Sequence, residues 1–251
     1  MQNEIYTPGH TDNATNFMAT RSLTSHGRFF VPYLSRNDTV LDLGCGPGTI
    51  SVDMARMVAP GHVTGIDLGE SQIAQARQHA EEVGVSNVDF RIESCYELPF
   101  ERGSFDRIFC HALMEHLADP VGALREVFRV LNPEGMIGLC SPDADGWLLS
   151  PPSPELDAAV RAYADLQRAN GGNLRIGKNF GVLLQAAGFT AIRLSARYEC
   201  YSSLPFIGEY LALQLEQRGF SRHATTLREW AKDPNGMFAQ AWVSAVAQKS
   251  R

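Results

Sequence analysis

The sequence has few of the features that mark membrane, secreted or nucleic-acid-binding proteins. It contains no apolar run of roughly 18 residues, the length that predicts a membrane-spanning helix. Residues 1–10 lack the basic segment and apolar core of a secretory signal. Lys and Arg total 22 against 28 Asp and Glu, so no overall positive field attracts a polyphosphate. We therefore expect neither a membrane nor a nucleic acid as partner.

The five cysteines are scattered, without a C-x-x-C pair or a regular spacing. They predict neither a zinc site nor a disulfide framework. Acidic residues and histidines form no evident ligand cluster either, so no bound metal is expected. Free thiols suit a reducing compartment, and we expect a cytoplasmic location.

What the chain does contain is an alternation of short apolar runs with amphipathic stretches of about ten to fifteen residues. This alternation is typical of a parallel sheet built from βαβ units. The predicted strands are 39–43, 62–67, 88–92, 105–111, 135–141, 190–198 and 237–247. The predicted helices are 49–57, 71–83, 120–130, 155–169, 177–187, and one or two within 204–230. The expected fold class is α/β, a doubly wound Rossmann-like sheet, mostly parallel with an antiparallel last strand.

A single domain is expected over residues 1–251, because 44% apolar content can fill one large core. Proline-rich and glycine-rich breaks interrupt the alternation in two places, which predicts helical lid insertions over the sheet. The expected parts are an N-terminal arm with a helix starting near Thr20 (1–36), a cofactor-binding core (37–141), lid insertions (142–176 and 201–234) and the last strand (237–248).

A glycine-rich turn follows the first predicted strand and opens a helix. Gly44, Gly46 and Gly48 allow positive φ and close backbone approach to a ligand, and the helix N-terminus offers unpaired N–H donors. Asp67 ends the second strand about twenty residues later, where a carboxylate accepts both hydroxyls of a ribose. The alternatives without a bound ligand are that the glycines form a purely structural turn and that Asp67 caps the next helix. The pattern favours a nucleotide-type cradle.

Dinucleotide-binding folds share this spacing, so a nicotinamide-dependent dehydrogenase is a rival hypothesis. The turn reads Gly-Cys-Gly-Pro-Gly instead of G-x-G-x-x-G, and Asp42 lies in the strand just before it. A buried carboxylate there orders the glycine loop or meets a cationic ligand group, which a nicotinamide dinucleotide does not present at that point. Both details separate this chain from the dehydrogenases.

Four successive motifs between residues 39 and 141 resemble the class I S-adenosylmethionine (SAM)-dependent methyltransferases. The similarity is strongest to the subgroup with ubiquinone- and menaquinone-biosynthesis enzymes and natural-product methyltransferases. It implies SAM as cofactor and S-adenosylhomocysteine as product. The resemblance also implies that Gly44, Cys45, Gly46 and Gly48 shape the methionine pocket, while Asp67 binds the ribose and Leu68 packs on adenine.

The third motif departs from the family pattern. Relatives usually have Gly-Asp-Ala where this sequence has Glu93-Ser94-Cys95, before the shared Leu-Pro-Phe. Ser94 therefore stands where an aspartate often accepts the adenine amino group. A serine hydroxyl still accepts that bond without charge assistance, so we expect adenine to be held partly by the Cys95 backbone.

The fourth motif places His111 at the end of a strand and His116 shortly after it, both near the expected methyl group. Either imidazole is a candidate general base for a hydroxyl or amine acceptor. The alternatives are a capping or core histidine, and methyl transfer often needs little beyond alignment. In similar relatives an N-terminal arm folds over the pocket, which implies that Tyr6 or His10 touches the substrate and Arg21 meets the SAM carboxylate. A frayed terminus is the alternative.

The resulting hypothesis is methyl transfer to an O, N or C atom of a small, apolar or aromatic acceptor. A second hypothesis keeps the SAM pocket without methylation, as a cyclase-like catalyst or a partner module in a biosynthetic pathway. Methylation of RNA or protein ranks lowest, since it predicts a basic face. Aromatic residues in the late helices suit either a lid or a homodimer interface.

Overall fold

The structure is a computed structural model, and it describes residues 5–9, 12–201 and 203–250. Seven strands form one sheet in the order β3-β2-β1-β4-β5-β7-β6. The strands are β1 Thr39–Leu43, β2 His62–Asp67, β3 Val88–Ile92, β4 Phe105–His111, β5 Leu131–Ser150, β6 Phe189–Cys200 and β7 Met237–Lys249. The helices are α1 Asp12–Ala19, α2 Leu23–His26, α3 Thr49–Val58, α4 Glu70–Glu82, α5 Pro120–Val130, α6 Pro154–Ala169, α7 Phe180–Ala186, α8 Leu204–Glu216 and α9 Ser221–Trp230.

The predicted fold class is confirmed. Strands β1 to β5 pair in parallel, and β7 runs antiparallel to both β5 and β6. The bounds of β1 to β4 are those that the apolar runs predict; β1, β2 and β4 are mostly buried, whereas the edge strand β3 is partly exposed. The strand order reverses between β1 and β4, and this reversal leaves a crevice at the carboxyl ends of the strands.

The predicted N-terminal helix from Thr20 is wrong. The chain forms α1 and α2 instead, followed by a 3₁₀ turn over Val31–Tyr33. Ser22 begins α2, since its hydroxyl accepts the Ser25 N–H at 3.2 Å, and Gly27 ends it. The apolar pattern continues through the capping residues Ser22 and Gly27, so the prediction did not recognise where α2 begins and ends.

Strand β5 is much longer than the predicted 135–141. The second half of β5 is paired with β7, and this pairing extends as far as Ser150, which lies opposite Met237. Such pairing depends on residues about a hundred positions away, which local periodicity does not report. The register shifts between Asp143 and Leu148.

Helices α6, α8 and α9 come from the two predicted lid insertions. They pack on one another and form one apolar cluster with Phe17 of α1 and Phe238 of β7. The segment 204–230 is two helices, with Gly219 at φ +84° between them. None of the described helices combines the length and the apolarity needed to cross a membrane.

Candidate functional site

A cavity of about 270 Å³, called the first cavity here, opens at the carboxyl ends of β1, β2 and β4. Most of the predicted site residues line it: Tyr6, Arg21, Asp42, Gly44, Cys45, Gly46, Asp67, Leu68, Cys95, His111 and His116. Gly48 and Ser94 are not among its lining residues, and the Ser94 hydroxyl instead accepts the Tyr96 N–H at 3.2 Å. His10 lies outside the described residues.

The three glycines of the turn all have positive φ, but they serve different contacts. A Cβ on Gly46 would meet only Met18 Sδ at 3.7 Å and Gln72 Oε1 at 3.9 Å, so the backbone there faces the first cavity. A Cβ on Gly48 would lie 2.7 Å from the Ala76 Cβ and 2.8 Å from the Phe90 Cζ. Gly48 therefore permits close packing of the turn against α4 and β3.

Asp67 ties the glycine turn to the start of α4. Its Oδ2 accepts the Gly46 N–H at 3.0 Å and its Oδ1 accepts the Gly69 N–H at 2.8 Å. Each carboxylate oxygen has a second lone pair, so further acceptor positions remain for a ligand hydroxyl. Leu68 follows directly and is 67% exposed at the cavity wall, a surface on which a flat apolar ring could pack.

Asp42 is buried in the wall of the first cavity, and its Oδ2 accepts the Ser51 hydroxyl at 2.6 Å. The pKa of this carboxyl is raised to about 7, because burial and the nearby Asp67 charge raise it by more than the Ser51 hydrogen bond lowers it. A cation bound beside Asp42 would favour its ionised form. Asp42 thus suits a positively charged ligand group.

Arg21 and Tyr6, from the N-terminal segment, form part of the wall of the first cavity. The Tyr6 hydroxyl donates to Met18 Sδ at 3.5 Å, and its ring packs edge-on against His116 at 4.7 Å. The Arg21 guanidinium lies over the Phe17 ring at 5.3 Å and the Trp242 ring at 5.6 Å. Within the described part of the chain, Arg21 has these aromatic neighbours and no ion-pair partner.

His111 is 6% exposed, and neither ring nitrogen has a hydrogen-bond partner among the described residues. Its ring lies 4.7 Å from the Trp242 ring. Burial, followed by the positive charge of Arg21, holds the pKa of His111 well below its ordinary value. The imidazole is therefore neutral and offers one donor and one acceptor to a ligand in the first cavity.

A second cavity adjoins the first, and both are lined by Tyr6, Met18, Arg21, Ala112 and His116. Half of its remaining lining residues are aromatic and the others are aliphatic or polar: Phe17, Trp147, Tyr163, Tyr210, Phe238 and Trp242, then Pro142, Leu174, Ile207 and Leu211, then Glu115 and Gln240. Trp147, Tyr163 and Tyr210 belong to the insertions that were expected to form a substrate lid. The rest of the cavity was not predicted, because α1, β5, α6, α8 and β7 each supply part of it. Only the fold brings these segments together.

His116 is held by Gln167, whose Nε2 donates to His116 Nδ1 at 2.7 Å and to the Glu115 carbonyl oxygen at 2.9 Å. If the Gln167 amide were flipped, its Oε1 would face the Glu115 carbonyl oxygen, and the two acceptors would repel each other. Gln167 Nε2 is therefore the donor and His116 Nδ1 the acceptor, so the neutral ring carries its proton on Nε2. Burial lowers the pKa of His116 to about 3. An Nε2–H group donates, so this geometry does not favour the predicted role as a base, which stays a prediction.

Gln72 also lines the first cavity and was not predicted. It is 1% exposed, its Nε2 donates to Thr15 Oγ1 at 2.8 Å, and its Oε1 has no partner within the described residues. A signal existed in the sequence, because Gln72 is a polar residue on the otherwise apolar face of α4 that contains Ile73, Ala76 and Ala80. Such a residue on a buried face needs a partner.

Residues 34–188 match the family model of the methyltransferase domain. The chain belongs to this methyltransferase family. The motifs of this methyltransferase family imply SAM as the cofactor, and the first cavity fits it. The Asp67 acceptors, the open backbone at Gly46 and the buried unpartnered atoms of Gln72 and His111 are groups that an adenosine with an amino-acid tail can satisfy.

Two curated relatives match only part of the chain. An uncharacterised methyltransferase of Schizosaccharomyces pombe is 35% identical over 133 residues, covering 51% of this chain and 47% of the relative. A ubiquinone biosynthesis O-methyltransferase of Xanthomonas euvesicatoria is 43% identical over 101 residues, covering 40% and 41%. The chain thus spans about half the length of the curated relatives it matches.

Solved structures share the fold over most of the chain. The cyclase SpnF is 23% identical with a TM-score of 0.59, covering 95% of this chain and 81% of that one. Haemonchus contortus phosphoethanolamine N-methyltransferase 2, solved in complex with SAM, is 20% identical with a TM-score of 0.59, covering 86% and 50%. At these identities the likeness establishes the fold alone.

We expect the affinity of this methyltransferase for SAM to rise about tenfold between pH 6 and pH 8. Asp42 is protonated below its pKa of about 7 in the free protein, whereas the cationic cofactor favours the carboxylate, so binding releases a proton. Calorimetric titrations at several pH values test this. Asp42→Asn removes the pH dependence and the exposed Asp165→Asn control retains it; an affinity independent of pH in the unmodified protein contradicts the assignment.

Proposed function

We propose that this methyltransferase transfers the SAM methyl group to an O, N or C atom of a small, planar, largely apolar molecule. The observation that carries the proposal is the pair of adjoining cavities, one with the family's cofactor motifs and the other with aromatic walls. Bound SAM supplies an electrophilic methyl group on a sulfonium. The second cavity is where the acceptor would bind, and the shared wall of Tyr6, Met18, Arg21, Ala112 and His116 marks where transfer would occur.

The chain contributes mainly positioning and exclusion of water. In this proposal Asp67 accepts the ribose hydroxyls, Leu68 and the Cys95 backbone hold adenine, and the Gly44–Gly46 turn with Asp42 and Arg21 receives the methionine end. Aromatic side chains of the second cavity orient a flat acceptor by stacking. A role in biosynthesis, a cytoplasmic location, and a homodimer through the late helices belong to the same proposal.

A second candidate function is binding of SAM without methyl transfer, in a cyclase-like role. The likeness to SpnF favours it only weakly, because 23% identity establishes a shared fold and no shared chemistry. The aromatic second cavity suits either role. Methylation is preferred because the matched family is a methyltransferase family.

Calorimetry of the full chain with SAM, S-adenosylhomocysteine and NAD is the decisive first experiment. Micromolar binding of the first two alone is expected. An acceptor screen of phenols, amines and carbon acids, read out by S-adenosylhomocysteine release, then tests methylation. Absence of SAM binding would overturn the assignment, whereas SAM binding with no release from any acceptor would favour the non-methylating role.

A further inference from the structure

Glu115 is a buried carboxyl in the wall of the second cavity that no predicted role includes. It lies on the 3₁₀ turn Met114–His116 that follows β4 and is 2% exposed. The turn is firmly held, because the Glu115 carbonyl oxygen accepts N–H groups from Asn173 at 2.7 Å and Gln167 at 2.9 Å. The carboxyl is therefore fixed beside the shared wall of the two cavities.

The two carboxyl oxygens of Glu115 have different surroundings. Oε2 accepts the Ser141 hydroxyl at 2.7 Å, while Oε1 lies 3.9 Å from His116 Nε2, beyond hydrogen-bond distance. Oε1 thus retains acceptor capacity on the side of the second cavity. The carboxyl also accepts the N–H of Glu115 itself, so about two of its roughly four acceptor positions are used and the others are left for a ligand hydroxyl.

The ionisable groups that act on Glu115 come from several elements: Tyr6, Arg21, Cys110, His116, Cys140, Tyr163 and Tyr210. Burial raises the pKa of these thiols and phenols and lowers that of His116, so near neutral pH only Arg21 among them is charged. Burial raises the pKa of Glu115 to about 7, against the hydrogen bonds from Ser141 and from its own N–H and against the Arg21 charge, which all lower it. Glu115 can therefore take up a proton at neutral pH.

Arg21 restricts the kind of nucleophile. Its guanidinium lines both cavities, so its five N–H donors can serve the methionine carboxylate on one side and an acceptor oxygen on the other. A permanent positive charge repels an ammonium group and stabilises an oxygen that becomes negative. The second cavity measures about 40 Å³, so a flat ring would occupy it together with the adjoining part of the first cavity. Its aromatic side chains offer stacking faces, and the unpartnered Trp147 Nε1–H adds a donor for a further oxygen.

We propose that Glu115 is the general base of this enzyme and that its acceptor is a planar phenol or enol, methylated on oxygen. This inference rests on the proposed methyl transfer. The acceptor hydroxyl gives its proton to Glu115 Oε1, and the oxygen forms a bond to the methyl carbon as the bond from that carbon to sulfur breaks. The sulfur keeps the electron pair and becomes a neutral sulfide, so charge and atoms balance. Ser141 is a positioning residue that orients the carboxylate.

The test compares the unmodified chain with Glu115→Gln, Ser141→Ala and a surface control, Glu101→Gln. With the phenol that releases most S-adenosylhomocysteine in the screen, kcat/KM should rise with pH to a plateau above about pH 7. Glu115→Gln should lower kcat about 10²–10⁴-fold with SAM affinity within about twofold. Ser141→Ala should move the acid limb to higher pH, because Ser141 lowers the pKa of Glu115. Glu101→Gln should change neither.

A second readout needs no cofactor. Because the folded-state pKa of Glu115 is raised above its unfolded value, the stability that it contributes is present at low pH and is lost as pH rises through about 7. Urea unfolding between pH 5 and pH 8 should therefore show a smaller loss of stability for Glu115→Gln than for the unmodified chain. Equal losses in both proteins would overturn the assignment of Glu115 as a buried titrating acid.

The outcomes separate the two proposals. Release of S-adenosylhomocysteine that survives Glu115→Gln overturns this inference alone. Methylation of amines in preference to every phenol and enol overturns the acceptor class. No release by the unmodified chain from any acceptor overturns the proposed function and this inference together.

Discussion

Replacing Asp67 by alanine is expected to weaken SAM binding by about 100-fold or more. The substitution removes the proposed acceptor of the ribose hydroxyls and both bonds that fix the turn, from Gly46 N–H at 3.0 Å and Gly69 N–H at 2.8 Å. A hydrogen bond to a charged group contributes about 1.5–3 kcal/mol, and about 1.4 kcal/mol corresponds to a tenfold change. Losing two ribose bonds therefore accounts for the effect. Calorimetric titration with SAM measures it.

Asp89→Ala is the matched control. Asp89 lies on the neighbouring strand β3 and pairs with Arg91 and His62 at the surface, outside the first cavity. Its loss should leave SAM affinity within about twofold, since exposed pairs contribute about 1 kcal/mol or less to stability and this one does not touch the cavity. If Asp67→Ala weakened binding no more than Asp89→Ala, the ribose assignment would be wrong.

The substitution Gly48→Ala is expected to destabilise the fold by roughly 3–5 kcal/mol. Gly48 has φ +76°, which strains any L side chain, and its Cβ would lie 2.7 Å from Ala76 and 2.8 Å from Phe90. These neighbours belong to α4 and β3, so relief requires the helix to move away from the sheet. Urea unfolding measures the free energy.

Gly84→Ala separates the two causes of that loss. Gly84 has φ +67°, but no atom lies within 4 Å of the position that its Cβ would take. Only the conformational strain remains, and the expected cost is about 1–2 kcal/mol. Equal costs at both positions would show that close packing at Gly48 contributes nothing.

Much of the fold could be predicted because the parallel strands are local apolar runs. Strands β1 to β4 needed no knowledge of their partners, whereas the length of β5 depends on β7, which lies far along the chain. The prediction of the N-terminal helix failed for another reason. α1 lies in the expected arm, where its Phe17 packs with α8. The apolar pattern from Thr20 covers both α2, whose Leu23 packs with α3, and the 3₁₀ turn Val31–Tyr33, so one pattern concealed two short elements.

How well each cavity could be predicted also depended on how far apart its lining residues lie in the sequence. The first is built from strand ends and the turns that follow them, so motifs of a few residues reported Asp42, Asp67 and His111 correctly as lining residues. The second is assembled from six separated elements: α1, the 3₁₀ turn Met114–His116, β5, α6, α8 and β7. Glu115 was passed over in favour of its neighbour His116, because its burial and its bond to Ser141 arise only in the folded chain.

The position of β7 has a consequence for biosynthesis on the ribosome. β7 is made after β6, yet it is inserted between β5 and β6, and the pairing of β6 within the described sheet is to β7 alone. A nascent chain can therefore fold β1 to β5 early, while β6 stays unpaired until synthesis of β7 is complete. During that interval a twelve-residue strand with unsatisfied backbone groups is exposed to other chains and to chaperones. β7 also carries Phe238 and Trp242, so chains released before this point would hold the cofactor half of the site without the acceptor half.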